Sequence, residues 1–289
     1  MKRLPIGIYE KALPFNVDWH ERLAVAHRTG FDFVEISIDE SDERQARLNW
    51  SAKERANLRH AIAESGVPII TMCLSGHRKY PFGSADPAIR QRADAMMRQA
   101  IAFAVDVGIR IIQLAGYYVY YEPYSAASRD RYRAGLSQAL DVASQASVML
   151  ALENVDGNDV MSITEAMRFV QDFNSPWFQI YPDIGNLAEH ELSVSDELER
   201  ARGHIVGVHV KDTIPGEPRR VPFGQGVTPF SAAFRKLAEM NFNGPVLLEM
   251  WNDDSPDSLR IVEAARCWVE ERMIEGGLIS AREKAYAAL

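Results

Sequence analysis

Four residues of this chain stand where short apolar runs end, and their side chains are of types that bind hard cations. Glu153 closes V-M-L-A-L-E, Asp183 closes W-F-Q-I-Y-P-D, His209 sits in V-G-V-H-V-K-D, and Glu249 falls at the end of P-V-L-L-E-M. Taken one at a time, each acid reads as a helix cap or a solvated loop residue, and the histidine as a core imidazole. Taken together they are one metal-competent side chain from each of four successive runs. Three carboxylates and one imidazole make an oxygen-rich donor set suited to one divalent ion, Mn²⁺, Mg²⁺, Co²⁺ or Zn²⁺.

Those runs belong to a longer pattern. Candidate strands cover 4–9, 33–38, 68–74, 110–115, 148–153, 177–183, 204–210 and 245–250, and most are nearly continuous apolar stretches, as in a parallel sheet covered on both faces. Amphipathic stretches alternate with them: 18–30, 51–66, about 86–107, 125–145, 163–172, 195–202, 229–240 and 258–275. Ser51 with Glu54 three residues later is a helix-start signature, and Gly30 and Gly66 are stops. Leu278–Leu289 reads as an additional terminal helix. Eight strand–helix repeats predict an α/β fold of the (β/α)₈ TIM-barrel type, whose usual length is about 250 residues. An open doubly wound sheet is the competing architecture. It would carry a glycine-rich phosphate loop after an early strand, and no G-x-G-x-x-G is present, so no nucleotide cofactor is expected. No Gly/Ser linker or composition shift divides the 289 residues, so one barrel domain with its terminal helix is expected.

In such barrels the active site is built at the C-terminal ends of the strands, so rim residues are read as a group. Glu35, inside F-V-E-I-S-I, could bond a substrate hydroxyl or form half of a core ion pair. His77, Arg78 and Lys79 follow strand three and could hold an anionic or polyhydroxyl ligand. The run Y-Y-V-Y-Y-E-P-Y after strand four could wall a pocket from water. After strand seven, Lys211, Arg219, Arg220 and the backbone of Gly224–Gly226 are material for a phosphate site. Cys73 on an apolar strand reads as inert core.

Composition narrows the class. The chain is 47% hydrophobic and 25% charged, with a net charge of -8, which opposes nucleic-acid binding. Two cysteines make no disulfide framework, and no run approaches the roughly 20 apolar residues of a membrane helix. Glu10 and Lys11 break the first apolar run too early for a signal peptide. The expectation is a cytoplasmic protein with no membrane or nucleic-acid partner. Exposed apolar loops and the terminal helix suggest a homodimer.

Eight blocks carry a resemblance: I-G-I-Y-E-K-A-L-P, G-F-D-F-V-E-I-S-I-D-E, M-C-L-S-G-H-R, I-Q-L-A-G-Y, W-F-Q-I-Y-P-D-I-G-N-L, H-V-K-D-T-x-P-G, V-P-F-G-Q-G and L-L-E-M-W. From about Pro5 to about Glu271 the chain resembles the L-ribulose-5-phosphate 3-epimerases, also called L-xylulose-5-phosphate 3-epimerases, of L-ascorbate degradation. These are xylose-isomerase-like barrels. The resemblance implies a sugar-phosphate substrate and a divalent metal on Glu153, Asp183, His209 and Glu249, with the two glutamates as acid/base partners. It also implies that Arg220 contacts substrate; Asn186 in the D-I-G-N block and the rim residues Lys211, His77, Arg78 and Glu35 complete the expected substrate contacts. One departure is Asn154 after the strand-five glutamate, where the family has an apolar or methionine residue. Epimerisation at C3 would proceed through a planar enediolate, one glutamate removing the proton and the other returning one on the opposite face. Three other functions compete: an aldose–ketose (hexulose-phosphate) isomerase on the same barrel, a zinc endonuclease, which needs more rim histidines, and a sugar-phosphate-binding protein without catalysis.

Overall fold

The computed structural model of the chain describes residues 4–252 and 255–280. Eight parallel strands form its centre: β1 (Ile6–Tyr9), β2 (Phe33–Ser37), β3 (Ile69–Cys73), β4 (Ile111–Ala115), β5 (Met149–Glu153), β6 (Phe178–Ile180), β7 (Val208–Val210) and, near the end of the chain, β10 (Val246–Leu248). Their ladder runs β6-β5-β4-β3-β2-β1-β10-β7. Parallel bridges Ile180–Ile205 and Asp183–His209 join its two ends and close the ring. Helices α1 (Trp19–Arg28), α3 (Ala52–Ser65), α4 (Pro87–Val107), α5 (Ala126–Gln145), α6 (Ile163–Phe173), α8 (Val194–Arg200), α9 (Phe230–Glu239) and α10 (Ser258–Glu275) follow the strands in turn. The expected (β/α)₈ barrel is the fold observed.

The local signals explain where elements begin and end. Ser51 and Glu54 form a reciprocal capping box on α3, and Gly66 ends that helix at φ 69°. Asp86 caps α4, Pro87 takes its first turn, and Gly108 stops it at φ 92°. The strands are shorter than the apolar runs suggested. Three elements had no expectation: α2 (Asp42–Ala46), α7 (Ile184–Glu189), and a hairpin of β8 (Asp212–Ile214) with β9 (Glu217–Val221). The terminal helix expected over 278–289 lies outside the described residues from 281 onward; Leu278 and Ile279 are buried and not helical.

Strand alternation sorts the core into two bodies. Outward residues such as Ile6, Ile8, Val34, Ile36, Met72, Ile112, Leu150, Leu152, Val208 and Leu248 join one large apolar layer between strands and helices. Inward residues Tyr9, Phe33, Cys73 and Leu247 form a smaller cluster inside the barrel. The same parity points Glu35, Gln113, Glu153 and His209 inward, so polar residues can interrupt apolar strands without facing the helical layer.

Candidate metal centre

The inward parity and the strand order together place Glu153, Asp183, His209 and Glu249 on four adjacent strands at one end of the ring. Their ligand atoms all lie within 4.8 Å of one another. Glu153 ends β5, Asp183 follows β6, His209 is the middle of β7, and Glu249 follows β10. The rim is locked by main-chain bonds, with His209 N donating to Pro182 O at 2.9 Å and Glu249 N donating to Val210 O at 2.9 Å.

Each ligand is oriented by its neighbours. Asp183 is the N-cap of α7: its Oδ1 accepts from Gly185 N at 2.7 Å and Asn186 N at 3.1 Å. That leaves Oδ2 directed away from the helix. Asn154 fixes the turn beneath it, exchanging a pair of 3.0 Å bonds with the Asp183 main chain and accepting from Asn186 Nδ2 at 2.9 Å. The departure from the resembled family thus has a structural use. Gln113 Nε2 donates to Glu153 Oε2 at 2.5 Å, and His209 Nδ1 lies 2.7 Å from Glu153 Oε1. On its other side His209 Nε2 is 2.9 Å from Glu35 Oε1, while the Tyr181 ring meets the imidazole edge to face at 4.8 Å. Tyr181 fits there because residue 207 is glycine: a Cβ at Gly207 would come within 2.5 Å of that ring.

Lys211 Nζ stands 2.7 Å from Asp183 Oδ2 and 3.2 Å from Glu249 Oε2. These are charge contacts without hydrogen-bond geometry, since both buried oxygens lack a hydrogen-bond partner. Burial raises the Asp183 carboxyl, and the Glu249 and Glu153 carboxylates add to that against the pull of Lys211, so it ends above the usual range. Burial acts on Glu249 in the same sense, but Lys211 and His209 outweigh it and hold that carboxyl low. Two buried carboxylate oxygens whose close cationic contact is Lys211, beside an imidazole and a third carboxylate, fit a divalent cation by charge and by donor type.

A cavity of about 110 Å³ opens on this cluster, bordered by Glu153, Glu249, Trp251, Lys11, Arg78 and Arg219. An adjoining cavity of about 400 Å³ shares Glu249 and Trp251 and is bordered by Lys211 and Arg220. Arg78 lies over the rings of Tyr117 and Tyr120, at 5.2 and 5.4 Å, and its buried Nε has no hydrogen-bond partner. Arg219 pairs with Asp156 at 2.7 Å, and the exposed Arg220 lies 5.9 Å from the Trp251 ring.

Several expectations are corrected. Of the two expectations for Glu35, the core ion pair is found and the substrate contact is not: it is fully buried against His209. His77 turns the other way, with Nε2 3.3 Å from Ala93 O and its ring 4.5 Å from Phe82. Asn186, expected as a substrate contact, donates from Nδ2 to Asn154 O, and its buried Oδ1 has no hydrogen-bond partner. The amides of Gly224 and Gly226 do not await a phosphate: they donate to Asp212 Oδ2 at 2.8 and 2.9 Å, while Thr228 N reaches Asp212 Oδ1 at 3.2 Å. A Cβ at Gly226 would come within 2.3 Å of Asp212 Oδ1, so the loop closes on that carboxylate only with glycine there. Cys73 borders the smaller cavity, but burial and the Glu35 and Glu153 charges push its thiol up to about 12. Gln113 went unnoticed, although a lone amide in I-I-Q-L-A gives the same signal as the glutamate in β2.

The family model for xylose isomerase-like TIM barrels matches residues 23–272. The chain is 49% identical over 280 residues to L-ribulose-5-phosphate 3-epimerase UlaE of Escherichia coli K12, covering 97% of this chain and 99% of that protein. Among solved structures it is similar to D-psicose 3-epimerase of Clostridium cellulolyticum H10 (TM-score 0.80, 17% identity, 93% and 99% covered) and to an L-ribulose 3-epimerase (TM-score 0.77, 20% identity, 99% and 98% covered). At those identities the structures speak for the fold alone, whereas the first relative matches almost end to end. The chain therefore belongs to the xylose isomerase-like TIM barrels, and within them to the L-ribulose-5-phosphate 3-epimerase family.

Proposed function

We propose that this chain is a divalent-metal-dependent 3-epimerase that interconverts L-ribulose 5-phosphate and L-xylulose 5-phosphate; its E. coli relative is named an L-ribulose-5-phosphate 3-epimerase. The observation that carries the reading is the placement of Glu153 and Glu249. They are the outer members of a four-strand arc, and both border the cavity that Arg78 and Arg219 also enter. Glu153, Asp183, His209 and Glu249 would hold the cation. Bound there, it would supply Lewis-acid polarisation of the substrate carbonyl and neutralise charge developing on its oxygen.

The chain's own residues do the rest. Inverting C3 beside a carbonyl needs proton removal on one face of a planar enediolate and delivery on the other. Two carboxylates at opposite ends of an arc suit that requirement, and a single base would return the proton to its original face. Gln113 holds Glu153 Oε2, and Oε1, 2.7 Å from His209 Nδ1, is the oxygen on the side of the ligand set. Lys211 keeps Glu249 ionised. Arg78 offers a planar donor fork to the phosphate, with Arg219, itself paired with Asp156, at the same cavity, and the Tyr117–Tyr120 aromatic pair beneath Arg78 limits water at that end.

The test is to follow deuterium uptake at C3 from heavy water with Glu153→Gln and Glu249→Gln. Each is expected to lose epimerisation by at least a hundredfold. A variant that epimerises at the parent rate refutes the two-carboxylate scheme. Proton NMR of the product from L-xylulose 5-phosphate separates epimerisation from a carbonyl shift between C1 and C2.

A further inference from the structure

Glu35 lies in the middle of β2, is 0% exposed, and meets a residue 174 positions later in the chain. Its Oε1 is 2.9 Å from His209 Nε2, and its Oε2 is buried with no hydrogen-bond partner. Among the described residues no other ion pair reaches it. A carboxylate inside a barrel is costly to desolvate, and this one has a single partner to compensate.

The imidazole it meets has one nitrogen on each side of the question. Nδ1 is 2.7 Å from Glu153 Oε1, so Nδ1 is the nitrogen that faces the ligand set, and Nε2 faces away from it. A carboxylate can only accept, and His209 lies between two of them, Glu35 on Nε2 and Glu153 on Nδ1; once a cation takes up Glu153 Oε1, the ring proton sits on Nε2 against Glu35 and the lone pair is left on Nδ1. A glutamine in its place could turn its amide and donate to Nε2, which would move the proton to Nδ1 and aim it at the ligands. With Glu153 engaged as a ligand, Glu35 is the acceptor left for the one proton of a neutral ring. The Tyr181 ring packs edge to face against the imidazole at 4.8 Å.

We infer that Glu35 is the positioning residue of the metal centre: it fixes the tautomer and rotation of His209 so that Nδ1 is presented as a ligand. The inference rests on reading the four-residue cluster as a cation site. It concerns affinity for the ion itself, so its readout does not depend on turnover.

The experiment uses chelator-stripped full-length protein titrated with Co²⁺ by calorimetry, with the visible Co²⁺ absorption spectrum recorded alongside. Glu35→Gln, nearly isosteric, is expected to weaken Co²⁺ binding by about 10- to 100-fold and to change the visible bands. Glu35→Leu is expected to weaken it at least as much. A role confined to folding would lower the melting temperature of the stripped protein and leave the dissociation constant and spectrum unchanged. A folded Glu35→Gln that binds within twofold of the parent, with the parent spectrum, overturns the assignment even if Glu35→Leu does not fold. A parent chain that binds no Co²⁺ overturns both this inference and the metal reading beneath it. Tight parent binding that is lost in His209→Ala but kept in Glu35→Gln sinks the inference alone.

Discussion

Gln113 Nε2 donates to Glu153 Oε2 at 2.5 Å, an amide from the middle of β4 holding the carboxylate at the end of β5. The two strands are in register here, Gln113 opposite Ala151 and Ala115 opposite Glu153, so the amide reaches diagonally along the inner face. One Glu153 oxygen is thereby committed and the other is free for His209 and for chemistry. Gln113→Met keeps the volume and removes the donor. The expected cost is about 1–3 kcal/mol, seen as a fall in kcat of about 5- to 150-fold with KM nearly unchanged. Steady-state kinetics check it. A fall confined to KM would mean that Gln113 binds substrate rather than orienting the carboxylate.

Asp212 gathers the amides of Thr213, Gly224, Gly226 and Thr228 on one carboxylate. It ties down the segment that carries Arg219 and Arg220, so its removal should free that segment without unfolding the barrel. In Asp212→Ala, trypsin is expected to cut after Arg219 or Arg220 at least tenfold faster than in the parent, with far-UV circular dichroism preserved. Mass spectrometry of the fragments decides. An unchanged cleavage pattern would show that the hairpin is held by other contacts.

A third prediction concerns acid stability. Glu10 is 2% exposed and lies among Arg22, Arg44 and Arg47, with Arg47 Nη1 at 2.6 Å and the Ser37 amide at 2.7 Å. Burial alone would raise its carboxyl, but Arg47, Arg22 and that amide outweigh it and hold it below the ordinary 4.5. With the folded value below the unfolded one, the unfolded chain binds the extra proton. The contribution is therefore complete above about pH 4.5 and is lost as pH falls below it. Glu10→Gln should cost about 3–5 kcal/mol near neutrality, because it leaves buried guanidinium groups without their counter-charge. It should also flatten the acid limb of the stability curve. Urea melts of both proteins from pH 3 to 7 test it, and parallel curves would count against the ion cluster.

The sequence was informative where one residue's type carried both position and chemistry. Apolar runs with a polar last residue announce strands that end at a rim, and four in succession announced the cluster around Glu153, Asp183, His209 and Glu249. Direction was harder to read. His77 and Arg78 are neighbours in one turn of 3₁₀-helix, yet one packs on Phe82 and the other borders the cavity, and nothing in the local pattern separates them. Glu35 was legible as an inward polar residue, but its partner lies 174 residues away and only closure of the ring brings them together. The glycines of V-P-F-G-Q-G looked like an anion loop because Asp212, already in the sequence eleven residues before Phe223, could not be seen to fill it.

The phosphate end of the substrate gives the last prediction. Arg78 is a buried-sided cation at the smaller cavity with no carboxylate within ion-pair distance among the described residues, held by the faces of Tyr117 and Tyr120. Burial disfavours its charge, but the surrounding tyrosines favour it and the guanidinium stays ionised. Arg219, by contrast, is already paired with Asp156. Of the two arginines at the smaller cavity, Arg78 is therefore the one with charge to spare for an anion. Arg78→Met keeps the packing against the rings and removes the charge-assisted bonds, each of which contributes about 1.5–3 kcal/mol. KM for a pentulose 5-phosphate should rise by about 10- to 100-fold, while turnover of the matching unphosphorylated ketose changes by less than about threefold. Equal losses on both substrates would mean that Arg78 supports the pocket and does not read the phosphate.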